Sequence, residues 1–434
     1  MAPRILICGG GYVGLYSALS LEKHLRRGEA EIVLVTPESN MTYQPFMPEA
    51  AAGNIEPRHA VVPLRGVLKR TRLIIGHVTS VDHDRKTTTV APVEGAPYEI
   101  AYDHVIVGLG SVSRVLPVPG LAERGVGFKT VAEAIYLRNQ ILSCMDVAES
   151  TRDQQVRSRA LTFVFVGGGY AGVEALAELE DLARYASRRY ATVSRRDMRW
   201  ILVEAANGIL PEIGEGLGNY ALQRLHERGI EVYLQTRLES AEKGVMTLSN
   251  GKKFEAETLV WTTGVKPHPV LDRVSLPKDD RGRLTTDAYL RVKGVDGAWA
   301  AGDCAAVPDL ASGGVAPPTA QHALREARRL GENLAATIKG RSLKEFRYRQ
   351  LGTLVSLGRY KGVARILGVR LKGFPAWFLH RTYHVAMIPT FNRKVRVVVD
   401  WTVALFFKRD VVQLGSLQTP RDAFTDAAGS PPEG

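Results

Sequence analysis

Short apolar runs that end in glycine recur along the chain, and each is followed by apolar residues at helical spacing. Ile5 to Cys8 is such a run. Gly9, Gly10 and Gly11 close it, and the pattern from Leu15 to Leu25 then reads as a helix. The phrase returns 158 residues later: Ile5-Leu-Ile-Cys-Gly-Gly-Gly-Tyr-Val-Gly14 is echoed by Phe163-Val-Phe-Val-Gly-Gly-Gly-Tyr-Ala-Gly172, with a helix pattern from Val173 to Leu182. The next strands are predicted at Ile32 to Val35 and at Trp200 to Val203. Two further phrases, Tyr102 to Gly110 and Thr258 to Gly264, each run from a strand into a glycine where the chain is expected to cross between domains.

A strand, a glycine turn and a helix in that order form the first half of a βαβ unit, and the spacing of the glycines says what the turn holds. Gly9, Gly11 and Gly14 make one GxGxxG motif, and Gly167, Gly169 and Gly172 make the second. The glycines allow a tight turn, close approach of a pyrophosphate and close packing of helix on strand. The phosphates then rest on the helix N-terminus, where N–H groups and the helix dipole favour an anion. Tyr12 and Tyr170 occupy the same place in the two motifs. One such motif is a weak signal; the duplication makes two dinucleotide sites the expectation. The fold class is therefore α/β, with two Rossmann-like domains. The first is expected to be an FAD domain in two pieces, 1–115 and 265–340, and the second an NADH domain inserted at 116–264. A C-terminal membrane-docking region follows at 341–415, and a tail rich in Asp, Ala, Gly and Pro at 416–434 is expected to be disordered.

Single residues refine this. Glu204 ends the strand after the second turn and is placed to accept hydrogen bonds from an adenosine ribose, which favours NADH over NADPH. Arg195, Arg196 and Arg199 lie just upstream and soften that preference only if they leave the surface. In the first copy the matching strand ends at Thr36, leaving Glu38 as the ribose partner. Gly110 and Gly264 close the crossing strands beside their cofactors. Asp303, at the end of the Gly297 to Asp303 phrase, is expected to accept from a ribityl hydroxyl of FAD. The stretch from Pro317 to Ala327 reads as a helix start capped by Thr319, and its dipole would stabilise reduced flavin. Glu174 has two readings: a carboxylate complementing a helix N-terminus, or a group that handles a proton beside nicotinamide and flavin.

Charge and cysteine content narrow the class. The formal charge of +12 over 434 residues resides in one region, because Arg341 to Asp410 holds fifteen Lys/Arg against three Asp/Glu. Cys8, Cys144 and Cys304 are too far apart in sequence for a CxxC pair or a metal cluster, so no metal is expected. Met1 leads straight into the first strand with no pattern of a secretory signal, so the chain is expected in the cytosol. No apolar stretch reaches the roughly 18 residues of a spanning helix. From Phe374 to Phe407 apolar and aromatic runs alternate with basic ones, which suits an anionic membrane surface. The competing reading is that these runs form elements packed on the FAD domain or across a homodimer. Nucleic acid is not an expected partner, since no binding motif accompanies the charge.

These residues resemble the two-dinucleotide-binding-domain flavoproteins, and within them the type II NADH dehydrogenases, single-subunit NADH:quinone oxidoreductases. The likeness covers roughly residues 4–415. Its narrower features are Tyr43 to Met47 with Glu49 to Gly53, Gly169 to Glu174, Ala320 to Ala323, and Gly352 to Arg359 with Gly373 to Trp377 and His384. The resemblance implies that NADH reduces FAD and that FAD passes two electrons to a membrane quinone without proton pumping, on the cytoplasmic side of the cell membrane. It implies that Glu174 handles a proton and that Ala320 and Gln321 lie on the flavin and quinone side. The family's quinone motif carries a second glutamine where this chain has Arg325. That departure leaves open a soluble protein or small-molecule acceptor, or a low-turnover NADH-sensing module.

Overall fold

The structure, a computed structural model, describes residues 2–348, 350 and 352–413; the expected tail at 416–434 lies outside the described residues. Its backbone groups into two units. One comprises Met1–Gln44, Val61–Arg114 and Val265–Leu351; the other comprises Pro45–Ala60, Val115–Gly264 and the described residues from Gly352 onward.

The first unit is built on a seven-stranded sheet in the order Ala298–Ala300, His104–Val107, Arg4–Cys8, Glu31–Thr36, Arg72–Asp82, Thr87–Pro92, Tyr98–Ala101. The first five strands are parallel and the last two antiparallel. Ile5 to Cys8 are fully buried, as a central strand covered on both faces requires. The helix after the glycine turn spans Tyr12–His24, so it starts directly after Gly11 and ahead of its apolar pattern. It packs on the helix Ala320–Ile338, where the Ser17 and Ser20 hydroxyls donate to the carbonyls of Ala327 and Arg328. Ser111–Ser113 and Val265–Pro267, where the chain leaves this unit and returns to it, pair antiparallel.

The second unit repeats the plan with five parallel strands in the order Gly125–Val126, Thr258–Trp261, Thr162–Val166, Arg199–Val203, Glu231–Tyr233. Its glycine turn opens into the helix Tyr170–Ala186, and Thr130 and Glu133 form a capping box at the start of Val131–Ser150. The C-terminal residues add the antiparallel strands Gly352–Ser356, Gly362–Ile366 and Val369–Lys372, then the helices Phe374–Met387 and Phe391–Phe406.

Pro45–Ala60, expected with the first domain, groups with this second unit for an electrostatic reason. Glu49 is 1% exposed, and Arg381, 332 residues away in sequence, donates to both of its oxygens at 3.1 and 2.7 Å. Trp401 Nε1 adds a third donor at 2.7 Å. The guanidinium lies over the rings of Trp377 and Trp401 at 4.2 and 4.6 Å. His59 and the backbone N–H of Glu56 contact Asp400, and Asn54 donates to Glu178. These contacts seat both C-terminal helices on the Met47–Ala51 helix and its loop.

Removing one partner of a buried pair strands the other charge. Arg381→Met is expected to cost about 3–5 kcal/mol in denaturant unfolding, and a Glu49→Leu/Arg381→Leu double variant to recover part of that loss. A loss below about 1 kcal/mol, the size of a surface pair, would show that water reaches Glu49.

Candidate functional site

The first glycine turn lies in the first unit between Arg4–Cys8 and Tyr12–His24. Gly9 takes φ +105°, a left-handed backbone that a side chain would strain, and a Cβ on Gly14 would collide with the Gly9 carbonyl. A Cβ on Gly11, by contrast, would meet nothing within 4 Å. Gly11 caps the helix without any side chain to satisfy its first N–H groups. Open space over unsatisfied donors is the shape a pyrophosphate fits. Tyr12 is buried and packs on Tyr16 and Tyr43. Thr36 fills the place beside Gly10, and Glu38 is exposed two residues on.

The second turn, in the second unit, has the same construction. Gly167 takes φ +114°, a Cβ on Gly172 would collide with the Gly167 carbonyl, and a Cβ on Gly169 would meet nothing within 4 Å. Here the strand-end residue is Glu204, which accepts from the backbone N–H groups of Gly168 and Ala206. A carboxylate therefore stands at the mouth of this turn. Tyr170 opens the helix, and Gly264, at φ +92°, closes the neighbouring strand. Of the three arginines upstream, Arg199 is tied to Glu231 at 2.6 Å and Arg195 to the Arg228 carbonyl.

In the first unit Asp303 follows Ala298–Ala300 and accepts from the Ser111 hydroxyl at 2.6 Å; Gly110 before it has φ +70°. Thr319 caps the helix that starts at Ala320, accepting from the His322 N–H, while the prolines lie before the cap. Gln321 Oε1 accepts from the Tyr348 hydroxyl at 2.9 Å. Arg325 donates to the Gln321 carbonyl at 2.9 Å and lies 4.4 Å over the Tyr348 ring, so the three form one cluster. Glu326, which sequence reasoning missed, is 2% exposed and accepts from the Gly302 N–H at 2.7 Å beside Asp303. Burial pushes its carboxyl up to about 7, with Asp303 adding to the rise.

Glu174 is buried in the second unit. It accepts from the Ser356 N–H at 2.8 Å and lies 3.4 Å from His380 Nε2. This is more than a carboxylate complementing a helix dipole, because partners from two other elements meet it. His384 stacks edge-on to His380 at 4.5 Å, and burial holds its imidazole well below the usual range, hence neutral. Glu178, one turn beyond Glu174, was also missed. Burial, then the nearby Glu49 and Asp181 charges, push its carboxyl up to about 7. The i, i+4 spacing of two acids was the one signal available for it.

With two nucleotide-type turns in place, each followed by its helix, the comparison with known proteins is direct. Residues 3–327 match the model of the pyridine nucleotide-disulphide oxidoreductase family, and the chain belongs to that family. Its three cysteines, Cys8, Cys144 and Cys304, are all free and buried. Among curated relatives it is similar to the type II NADH:quinone oxidoreductase Ndh of Mycobacterium tuberculosis, 28% identical, covering 94% of this chain and 89% of that one. It is also similar to the demethylphylloquinone reductase NdbB of Synechocystis, 29% identical, covering 92% and 95%. The fold matches the structure of NDH2 from Plasmodium falciparum in complex with NADH at a TM-score of 0.89 and 17% identity, covering 95% of this chain and 100% of that one. The resemblance drawn from the motifs is thus borne out by relatives that carry the same name.

The two kinds of glycine separate by experiment. Gly172→Ala is expected to lower the melting temperature because the methyl has nowhere to go. Gly169→Ala is expected to melt as the parent does while NADH affinity, read by titration calorimetry, falls at least about tenfold. Equal melting losses in both would mean that the space over Gly169 is not a ligand seat.

The two raised carboxyls give a pH dependence. Between the ordinary value of 4.5 and about 7, the folded chain holds protons at Glu178 and Glu326 that the unfolded chain has released. Stability is therefore expected to fall as pH rises through that window. Melting curves of Glu326→Gln should show a shallower fall than the parent; an unchanged slope would contradict the assignment.

Proposed function

We propose that the chain is a type II NADH dehydrogenase: an NADH:quinone oxidoreductase in which hydride passes from NADH to FAD and two electrons then pass to a membrane quinone, without proton pumping. The observation that carries this reading is the doubled glycine turn, one copy with Glu204 at its mouth and the other in the unit that holds Asp303 and the Gln321 helix. Named relatives that reduce quinones lend it support. FAD supplies the two-electron chemistry when bound. Gly9, Gly11 and Gly14 would seat its pyrophosphate and Asp303 its ribityl chain, with Glu38 or the Thr36 hydroxyl toward the adenosine ribose. Gly167, Gly169 and Gly172 would seat the NADH phosphates. Glu204 would accept from the ribose hydroxyls and disfavour a 2′-phosphate by like charge, making NADPH the weaker donor. Gln321 and Arg325 would face the quinone, and Glu174 would deliver a proton.

The membrane reading has its own support. Among the described residues no helix is long and apolar enough to cross a bilayer. On Phe391–Phe406, however, Phe391, Val395, Val398, Val399 and Phe406 are exposed along one stripe, as are Phe374 and Phe378 on the preceding helix. Arg393, Lys394 and Arg396 lie on the same helix and Lys408 just beyond it. An exposed apolar face on a helix with several cations suits an anionic leaflet, each surface Lys or Arg adding about 1 kcal/mol. The protein would sit as a peripheral protein on the cytoplasmic side. A homodimer through the same stripe is the alternative.

Steady-state assay tests the activity: NADH with a soluble quinone analogue should turn over, NADPH much more slowly. Flavin bleaching without turnover would instead mark a binding module, and turnover with a soluble protein oxidant alone would favour the other acceptor class. For docking, Phe391→Asp/Phe406→Asp should lose cosedimentation with anionic vesicles while solution mass is unchanged. A drop in mass from dimer to monomer with vesicle binding intact would favour the dimer.

A further inference from the structure

The Gln321 side chain is held by one end only. Its carbonyl end, Oε1, accepts from the Tyr348 hydroxyl at 2.9 Å. Among the described residues its amide nitrogen, Nε2, has no hydrogen-bond partner, and on this half-buried residue that atom is not shut away from solvent. A side-chain amide donates at one end and accepts at the other, so the end that is taken decides what the other can recognise. With Oε1 taken, Gln321 presents N–H groups.

Neighbours on the helix Ala320–Ile338 hold the tyrosine in turn. The Arg325 guanidinium lies 4.4 Å over the Tyr348 ring, and its Nη1 donates to the Gln321 backbone carbonyl at 2.9 Å, which keeps the long side chain folded back along its own helix. The His322 ring, its Nδ1 2.8 Å from the Thr319 hydroxyl, meets the Tyr348 ring edge-on at 4.9 Å. A cation over the ring face is attracted by its π density. It also draws that density away from the phenol oxygen, which favours the hydroxyl as a donor. Arg325, the departure from the quinone motif, thus acts on Tyr348, and Tyr348 on Gln321. The reverse arrangement, with Nε2 donating to the phenol, would leave Oε1 outward and suit a hydroxyl ligand instead.

We propose that Tyr348 is a positioning residue of the acceptor site: by holding the carbonyl end of Gln321 it turns the amide N–H groups outward, and so selects a carbonyl oxygen over a hydroxyl. The inference rests on the quinone-reduction reading and deepens it. A quinone arrives with two carbonyls and leaves as a quinol with two hydroxyls. A quinol oxygen accepts less well than a quinone carbonyl, and its O–H finds no acceptor at an amide that only donates. The same amide therefore holds the substrate and lets the product go.

Steady-state kinetics and binding on the FAD-loaded full chain test this, with a short-chain ubiquinone analogue as the probe. Tyr348→Phe keeps the ring against Arg325 and His322 and removes only the hydroxyl. It is expected to raise the quinone KM about fivefold, the size of one neutral hydrogen bond, with kcat changed less than about twofold. The ratio of the quinol inhibition constant to the quinone KM should fall, because the released amide can turn its carbonyl to the quinol. Titration calorimetry with the analogue and no NADH should show the same loss of affinity. On a Gln321→Ala background Tyr348→Phe should add nothing, since it acts through that amide. Gln321→Glu still accepts from Tyr348 but has no N–H to give; its quinone binding should fall at least as far, and it carries the test if Tyr348→Phe does not fold. A full further loss on the Gln321→Ala background, or undiminished quinone binding by Gln321→Glu, overturns the proposal. A parent that passes no electrons to quinone overturns the quinone reading and this inference together. A parent that reduces quinone while Tyr348→Phe matches its KM overturns this inference alone.

Discussion

A carboxylate taken out of water has to be met by a cation, by a set of donors or by a proton, and the second unit depends on all three answers. Glu49 is met by Arg381 beside two tryptophans and Glu180 by Arg228, while burial, with Glu49 and Asp181 nearby, pushes the Glu178 carboxyl up to about 7 and so toward holding a proton. The Glu49 pair matters most for architecture, because it joins a short helix near the N-terminus to a helix more than three hundred residues later. Apolar residues of similar volume could hold the same helices as tightly. What a planar guanidinium clamped on a carboxylate adds is direction: the rings of Trp377 and Trp401 both have to lie against it, and Phe374, Phe378, Phe391 and Phe406 of the same two helices remain exposed. The exposed stripe from Phe391 to Phe406 follows from that seating.

The glycine turns impose a different constraint, repeated in each unit. One glycine must take a left-handed backbone, and another must lack a side chain so that the helix can close on the strand. Neither demand involves a ligand. The middle glycine has no such structural reason, and the space above it is what a ligand can use. The strand-end residue then distinguishes the copies: Glu204 beside Gly168, Thr36 beside Gly10. One backbone device is thereby given two different mouths.

Much of this was legible in the chain because it is local. Strand, turn and helix fall within about twenty residues of one another, so Ile5 to Leu25 and Phe163 to Leu182 read correctly, with the helices starting earlier at Tyr12 and Tyr170. The crossing strands at Val107 and Trp261 and the Thr319 cap were legible for the same reason. What escaped is long-range. Nothing near Glu49 announces Arg381, and nothing near Ser356 announces Glu174 and Glu178. Pairing across such distances leaves no periodicity, so the loop at Pro45–Ala60 was read with the strand it follows rather than with the helices it binds. Arg325 was legible as a departure from the quinone motif but not as a side chain turned back along its own helix onto Tyr348.

The central claim is that electrons enter from NADH and leave to a quinone through one flavin. Anaerobic double-mixing stopped-flow on the purified protein in lipid tests it most directly, with flavin bleached by one equivalent of NADH and then mixed with menaquinone or ubiquinone analogues. The account predicts full bleaching followed by reoxidation to the oxidised flavin spectrum at a rate that rises with quinone concentration. Flavin that stays reduced for seconds with every quinone, while a soluble oxidant restores it at once, would contradict it.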